Sequence, residues 1–377
     1  MDRNQVSSPP PDNPPLTILN YANRLREPLS LLPCTDGRKT LGVHLRPDGK
    51  ESTTFAALRR KAQHWADRLR SHPLPPATSW LALQSVLMKS LEYPLPATTL
   101  TSKECQAILW PALKIALPLS KIQCRFPHHL LHAPPSLMGL GLPSLFLTQL
   151  YQHLSILLNH GHEQSITGHL LRSTVETLRL ELGSRHPPLT LPWTQWGTLA
   201  TPTWLTFTWQ TSSTYGLGVT DNTQPPSPLQ SNDVMIMDFL TQRGISIQQL
   251  KTLNHCRLYL NLFWASELYT AQGDTIDPHI LRGEKPPNGQ SLCHWPCQGP
   301  PPPHAWTLWK STILTHFCQP HANGTPHTRL ELGHFIRDRE YLNSEKKGSA
   351  LCRLMQKISP QICEFFITIF IYFTYFI

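Results

Sequence analysis

The sequence contains no apolar run of the roughly 20 residues that a membrane-crossing helix needs. Its longest, residues 365–377 (FFITIFIYFTYFI), is aromatic and β-branched and stops at 13 residues. That length fits an aggregation-prone strand better than a span, and a tail anchor with Lys346, Lys347, Arg353 and Lys357 on its cytoplasmic side is the lesser expectation. Residues 1–15 are polar and proline-rich, without the apolar stretch of a secretory signal. The nine cysteines are scattered and odd in number. They point to reduced thiols in an intracellular compartment, cytoplasm or nucleus, and away from a secreted disulfide framework. No G-x-S-x-G nucleophile motif occurs. Gly139 and Gly141 lack the third glycine and the preceding strand of a dinucleotide loop, so a tight turn is the better account.

What the chain has in excess is proline, 37 of 377 residues. Lacking a backbone N–H and fixed in φ, proline clusters such as 300–303 belong neither inside helices nor in central strands, and they are read as linkers. The net charge of +9 is uneven: residues 1–130 hold 17 Lys and Arg against 9 Asp and Glu, while the remainder is almost neutral. A polyanion would therefore be met mainly by the first third.

Periodicity predicts a mainly α fold with a small β contribution (α+β). Residues 39–46 (KTLGVHLR) alternate as a short strand, followed by a turn at Pro47, Asp48 and Gly49. Phe55, Leu58, Ala62, Trp65, Ala66 and Leu69 form one helical face, with Arg59, Arg60, Lys61, Arg68 and Arg70 around the rest. Trp80, Leu83, Leu87 and Leu91 mark a second helix, and Thr101 with Glu104 has the capping-box spacing for a third. Later helices are expected after Pro143, between a Ser165 cap and Gly183, in two pieces broken at Gly244, and over residues 305–317. Residues 187–228, rich in Trp, Thr and Pro, are read as short strands or irregular structure.

Four segments taken in order, 39–46 (KTLGVHLR), 91–100 (LEYPLPATTL), 139–143 (GLGLP) and 253–260 (LNHCRLYL), carry a family resemblance. Together they resemble the region after the catalytic palm in non-LTR-type retroelement reverse transcriptases, over roughly residues 35–315. The resemblance implies that Leu41, Gly42 and Val43 stand where the last palm strand abuts the primer end. It also implies that residues 53–117 stand where a helical thumb grips a primer-template RNA/DNA duplex through its backbone. On that basis Arg59, Arg60, Lys61, Arg68 and Arg70 are the nucleic-acid-binding candidates. Polymerisation by this family needs a palm aspartate and an Asp-Asp pair to hold two metal ions. This sequence has no Asp-Asp pair, so it is expected to be a non-catalytic fragment or relic: no enzyme, no catalytic residues, no cofactor and no small-molecule substrate.

The expected organisation is a Pro-rich, partly disordered segment (1–38), a palm-end strand with a basic thumb-like helical bundle (39–130), a helical post-thumb region (131–270), a Pro-rich connector with one helix (271–325), and a divergent tail (326–377). Cys293, Cys297, Cys318 and His321 have donors and spacing able to hold tetrahedral zinc, although the intervening prolines argue against closure. Trp193, Trp196, Trp204 and Trp209 suit aromatic core packing better than base stacking. The alternatives to a nucleic-acid-binding relic are a helical scaffold without such binding and the tail-anchored protein.

Overall fold

The computed structural model describes residues 17–20, 24–28, 36–40, 42–46, 48–219, 233–270, 275–284 and 299–317. Over these the chain is mainly α-helical with a small β contribution. It divides into two compact units between Gln152 and His153.

The first unit begins with two antiparallel two-stranded ribbons, β1 (Thr17–Asn20) with β2 (Leu25–Pro28), and β3 (Arg38–Thr40) with β4 (Val43–Leu45). The single strand expected over 39–46 is thus a hairpin. Gly42 reverses the chain at φ +90°, a conformation open to glycine but strained for other residues, so the apolar-polar alternation continues across a break in direction. After β4, Gly49 N–H donates to Arg46 O at 3.0 Å, and the Arg46 guanidinium is held by the Asp48 carboxylate at 2.7 Å.

Helix α1 (Ser52–Ser71) follows, with Leu58, Ala62, Ala66 and Leu69 buried. Helix α2 (Pro76–Ala82) runs through a π-helical segment, Leu83–Met88, into α3 (Lys89–Glu92). In a regular helix Val86 would share the face of Leu83. The wider π turn leaves Val86 in solvent and buries Leu87 and Met88 together. Helix α4 (Ser102–Leu119) packs along α1, where Ala62 and Ala66 on one side and Ala112 and Ala116 on the other are fully enclosed and allow close approach. Its capping box is complete: Thr101 Oγ1 accepts from Glu104 N–H at 3.3 Å, and Glu104 Oε2 accepts from Thr101 N–H at 2.8 Å. Thr101→Ala is expected to cost about 1 kcal/mol, read as a lowered urea midpoint with an unchanged slope.

Helix α5 (His128–His132), which the sequence pattern did not mark, packs under the GLGLP segment. Leu140 and Leu142 N–H donate to the carbonyls of Leu130 and Leu131 at 2.8 and 3.0 Å, and a Cβ on Gly139 would overlap the Ala133 carbonyl. The tight turn expected at 139–143 is corrected: the segment forms no turn of its own but runs over α5, its N–H groups bonded to carbonyls between Leu130 and Pro134, with Gly141 at φ +66°. In α6 (Leu145–His160) Gln149 clamps the loop before α4: its Oε1 accepts from Thr98 Oγ1 at 2.8 Å and Leu100 N–H at 3.1 Å, and its Nε2 donates to Leu100 O at 3.0 Å.

The second unit contains α7 (Ile166–Leu182), α8 (Trp193–Trp196), α9 (Trp204–Thr214), α10 (Ile236–Gln242), α11 (Ile247–Leu260), α12 (Pro278–Arg282) and α13 (Pro303–Phe317). Ser165 caps α7, and Gly183 ends it at φ +70°. Between α10 and α11 stands Gly244, at φ +72°. The expectation of strands or irregular structure for 187–228 is corrected over the described part, because Trp204–Thr214 is a helix with its own Thr203 cap. Trp196 and Trp209 are core residues, Trp193 and Trp204 pack against that core, and Trp209 Nε1 donates to Leu191 O at 2.9 Å. Trp309 of α13 is likewise enclosed and donates to Ile280 O at 3.2 Å.

Candidate functional site

The β3–β4 register sets Lys39 directly opposite His44. Thr54 Oγ1, on the first turn of α1, donates to His44 O at 2.8 Å and fastens the hairpin to the helix. About two turns further along α1, Lys61 Nζ donates to Ser90 O of α3 at 2.8 Å. These ties border an open cleft of about 430 Å³ whose walls include Lys39, His44, Arg60, Lys61, His64 and Tyr93, and none of whose lining residues is an aspartate or glutamate. Burial, and then the neighbouring positive charge of Lys39, lower the proton affinity of Lys61 below the usual lysine range. The two ammonium groups therefore repel each other across a space that an anion would neutralise. Glu92 is close in sequence but pairs with Lys89 at 2.8 Å.

Of the five expected candidates, the fold brings Arg60 and Lys61 into this cleft. All five are exposed on α1, but at about 3.6 residues per turn they point in three directions. Arg59 and Arg70 share one flank, Lys61 and Arg68 the other, and Arg60 points away from the core. Arg70 is paired with Asp67 at 3.4 Å. Lys39, His44, His64 and Tyr93 complete the site and were not singled out in the sequence. The signal for Lys39 was its place in the strand beside Gly42; nothing local marked Tyr93, which reaches the cleft only through the turn from α3.

The second unit concentrates buried charge. Arg257 of α11 is fully enclosed; its Nη2 donates to the carbonyls of Leu180 and Glu181 at 2.9 and 2.7 Å, its Nη1 to Leu262 O at 3.0 Å and its Nε to Asn254 Oδ1 at 2.9 Å. Those carbonyls belong to the last turn of α7 and the residues after α11, where helical partners run out and the dipole favours a cation. Burial pulls the guanidinium down to about 9, still charged at neutral pH. Glu267 accepts from the N–H groups of Phe263 and Trp264 at 2.6 and 2.8 Å, and Asp233 from those of Val234 and Ser266 at 2.9 and 3.2 Å. Burial raises both carboxyls above their ordinary range. These bonds satisfy backbone at helix ends and turns, which is structural work. A second open cleft of about 400 Å³ includes Arg185, His186 and Asp238, but Asp238 is engaged by Arg185 N–H at 2.8 Å and offsets its charge.

Burial pushes the Cys105 and Cys256 thiols up to about 12, which makes them inert. The set Cys293, Cys297, Cys318 and His321 lies outside the described residues, as does the apolar tail 365–377. Among the described residues no group of three or more His, Cys, Asp or Glu is placed to hold a metal ion, and no helix is long and apolar enough to cross a membrane. Compared with known protein families, curated proteins and solved structures, the chain matches none of them.

Proposed function

We propose that this chain is a non-catalytic relative of the back end of a retroelement reverse transcriptase, and that its first unit retains a polyanion-binding surface for primer-template nucleic acid. The observation that carries this reading is the cleft between the β3–β4 hairpin, α1 and α3, lined by Lys39, Arg60 and Lys61 with no carboxylate among its lining residues. Opposed cations without an acidic partner favour an anionic ligand over a solvated surface, where mixed signs are the norm. A phosphate backbone supplies repeated single charges, and its binding releases condensed counterions. The absence of an Asp-Asp pair from the sequence is why the reading stops at binding and includes no polymerisation.

The test is retention of the full chain on an RNA/DNA hybrid across a salt series. Wild-type protein is expected to bind at low salt, with affinity falling steeply as salt rises. Neutralising Lys39, Arg60 and Lys61 to glutamine together is expected to flatten the log–log salt slope by about 2 to 3. Neutralising Arg59 and Arg70, on the opposite flank of α1, should change it less. Failure of the wild-type chain to bind at low salt would remove this reading and favour the helical scaffold.

A further inference from the structure

The cations of the cleft share it with an aromatic ring whose position follows from a glycine. A Cβ added to Gly42 would stand 3.2 Å from Tyr93 Cε1 and 3.8 Å from Cδ1, so the ring lies directly beside the hairpin turn. Gly42 is thus required twice, for its φ of +90° and for the room its missing side chain leaves. Set this way, Tyr93 is still 46 % exposed and forms part of the cleft wall with Lys39, Arg60 and Lys61. An exposed tyrosine among cations is out of keeping with a surface built only to follow phosphates. In a duplex the base faces are stacked on one another, and the backbone presents charge and sugar to the protein. An aromatic face adds affinity only where a base is unpaired, and the combination of a basic groove with an aromatic platform is the chemistry of single-strand recognition.

We infer that the cleft is a subsite for an unpaired nucleotide, with Tyr93 as the stacking platform for its base and Lys39, Arg60 and Lys61 as the contacts to the flanking phosphates. The cleft volume of about 430 Å³ falls in the range of small-ligand pockets, roughly 300 to 1,000 Å³, and so suits a unit of the strand, with the rest of the strand running out along the exposed side of α1. Lys61, held by Ser90 O at 2.8 Å, is already oriented in the wall and has little side-chain freedom left to lose on binding.

This inference rests on the polyanion reading above and is tested separately from it, by fluorescence anisotropy of the full chain with three labelled ligands. These are a single strand of about 12 nucleotides, an abasic strand with the same number of phosphates, and a blunt RNA/DNA duplex. The single strand is expected to bind roughly 5- to 150-fold more tightly than the abasic strand, the value of stacking one base. Tyr93→Ala should abolish that difference, while Tyr93→Phe and Tyr93→Trp should retain it. Equal, salt-dependent binding of single and abasic strands by the wild-type chain would overturn the nucleotide subsite while leaving the polyanion reading in place, with no reliance on a variant that fails to fold. A preference that persists in Tyr93→Ala would overturn the role of the ring. No binding of any of the three at low salt would remove both readings together.

Discussion

Arg257→Leu is expected to destabilise the second unit by about 3 to 5 kcal/mol, the range for removing one partner from a buried charged network. The leucine fills much of the space but donates nothing. The carbonyls of Leu180, Glu181 and Leu262 and the Asn254 Oδ1 each lose the guanidinium donor now within 3.0 Å. Asn254 Nδ2 still reaches Glu181 O at 3.0 Å, so the loss concentrates on Leu180, Leu262 and Asn254. The same change leaves Glu181 and Glu267, both of which feel Arg257 electrostatically, without their enclosed cation. Arg257→Lys should recover only part of the loss, because a point ammonium cannot span carbonyls on two separate helix ends as the planar fork does. A urea midpoint followed by far-UV circular dichroism measures the effect, and hydrogen exchange in α7 and α11 assigns it. Unchanged exchange in both helices would show that the guanidinium is not what joins them. Gly183 belongs to the same device: a Cβ there would lie 2.9 Å from Arg257 Cζ, so the glycine that ends α7 also makes room for the arginine that caps it.

This device explains why the sequence was readable in some places and opaque in others. The capping box at Thr101 and Glu104, the Ser165 start and Gly183 stop of α7, and the Gly244 break are local chemistry: the capping side chains bond backbone three residues away, and the glycines take the positive φ that ends a helix. The same spacing rules that predict them also build them. Arg257 shows no such signal, because an arginine in a run of helix formers is normally a surface residue, and only the carbonyls of α7, more than 70 positions earlier, give it a reason to be buried. Helix α9 was opaque for a different reason. Leu205, Thr206, Thr208, Trp209, Thr211 and Ser212 are all buried while Gln210 and Thr214 are exposed, so hydroxyl residues occupy much of the buried side and blur the 3.6-residue contrast between apolar and polar faces. Its hydroxyls are enclosed by bonding back to its own carbonyls, Thr208 to Trp204 O at 2.9 Å and Ser212 to Trp209 O at 3.0 Å. The site was half legible: Arg60 and Lys61 stand on an obvious amphipathic helix, whereas Lys39 and Tyr93 join them only because Gly42 turns a strand-like segment back on itself. The four segments behind the family resemblance likewise include structural anchors. GLGLP folds onto α5, residues 98–100 are clamped by Gln149, and LNHCRLYL supplies Asn254 and Arg257.

Glu267→Gln is expected to alter the pH dependence of stability more than stability itself. Burial pushes the Glu267 carboxyl up to about 7, against the Phe263 and Trp264 N–H groups and Arg257, which favour its charged form, and with the help of Asp233, which opposes it. In the unfolded chain the same group titrates near its ordinary 4.5. Between these values the folded state binds the proton more tightly, so stability falls as pH rises. The contribution is fully present below about 4.5 and lost by about 7. A shift of about 2.5 units corresponds to about 3 kcal/mol over that window. Glutamine offers one oxygen to the same two amides and does not titrate. The wild-type chain should therefore gain stability relative to Glu267→Gln as pH falls from about 7.5 to 5, with the difference changing by roughly 2 to 3 kcal/mol. Glu181, Asp233 and Glu51 are also raised by burial and titrate in the same direction in both proteins, so a residual slope common to both is expected. Urea midpoints of the two proteins at matched pH provide the measurement. A difference that stays constant from pH 5 to 7.5 would mean that Glu267 is already charged in the folded protein, held by its two amides and Arg257 against the cost of burial.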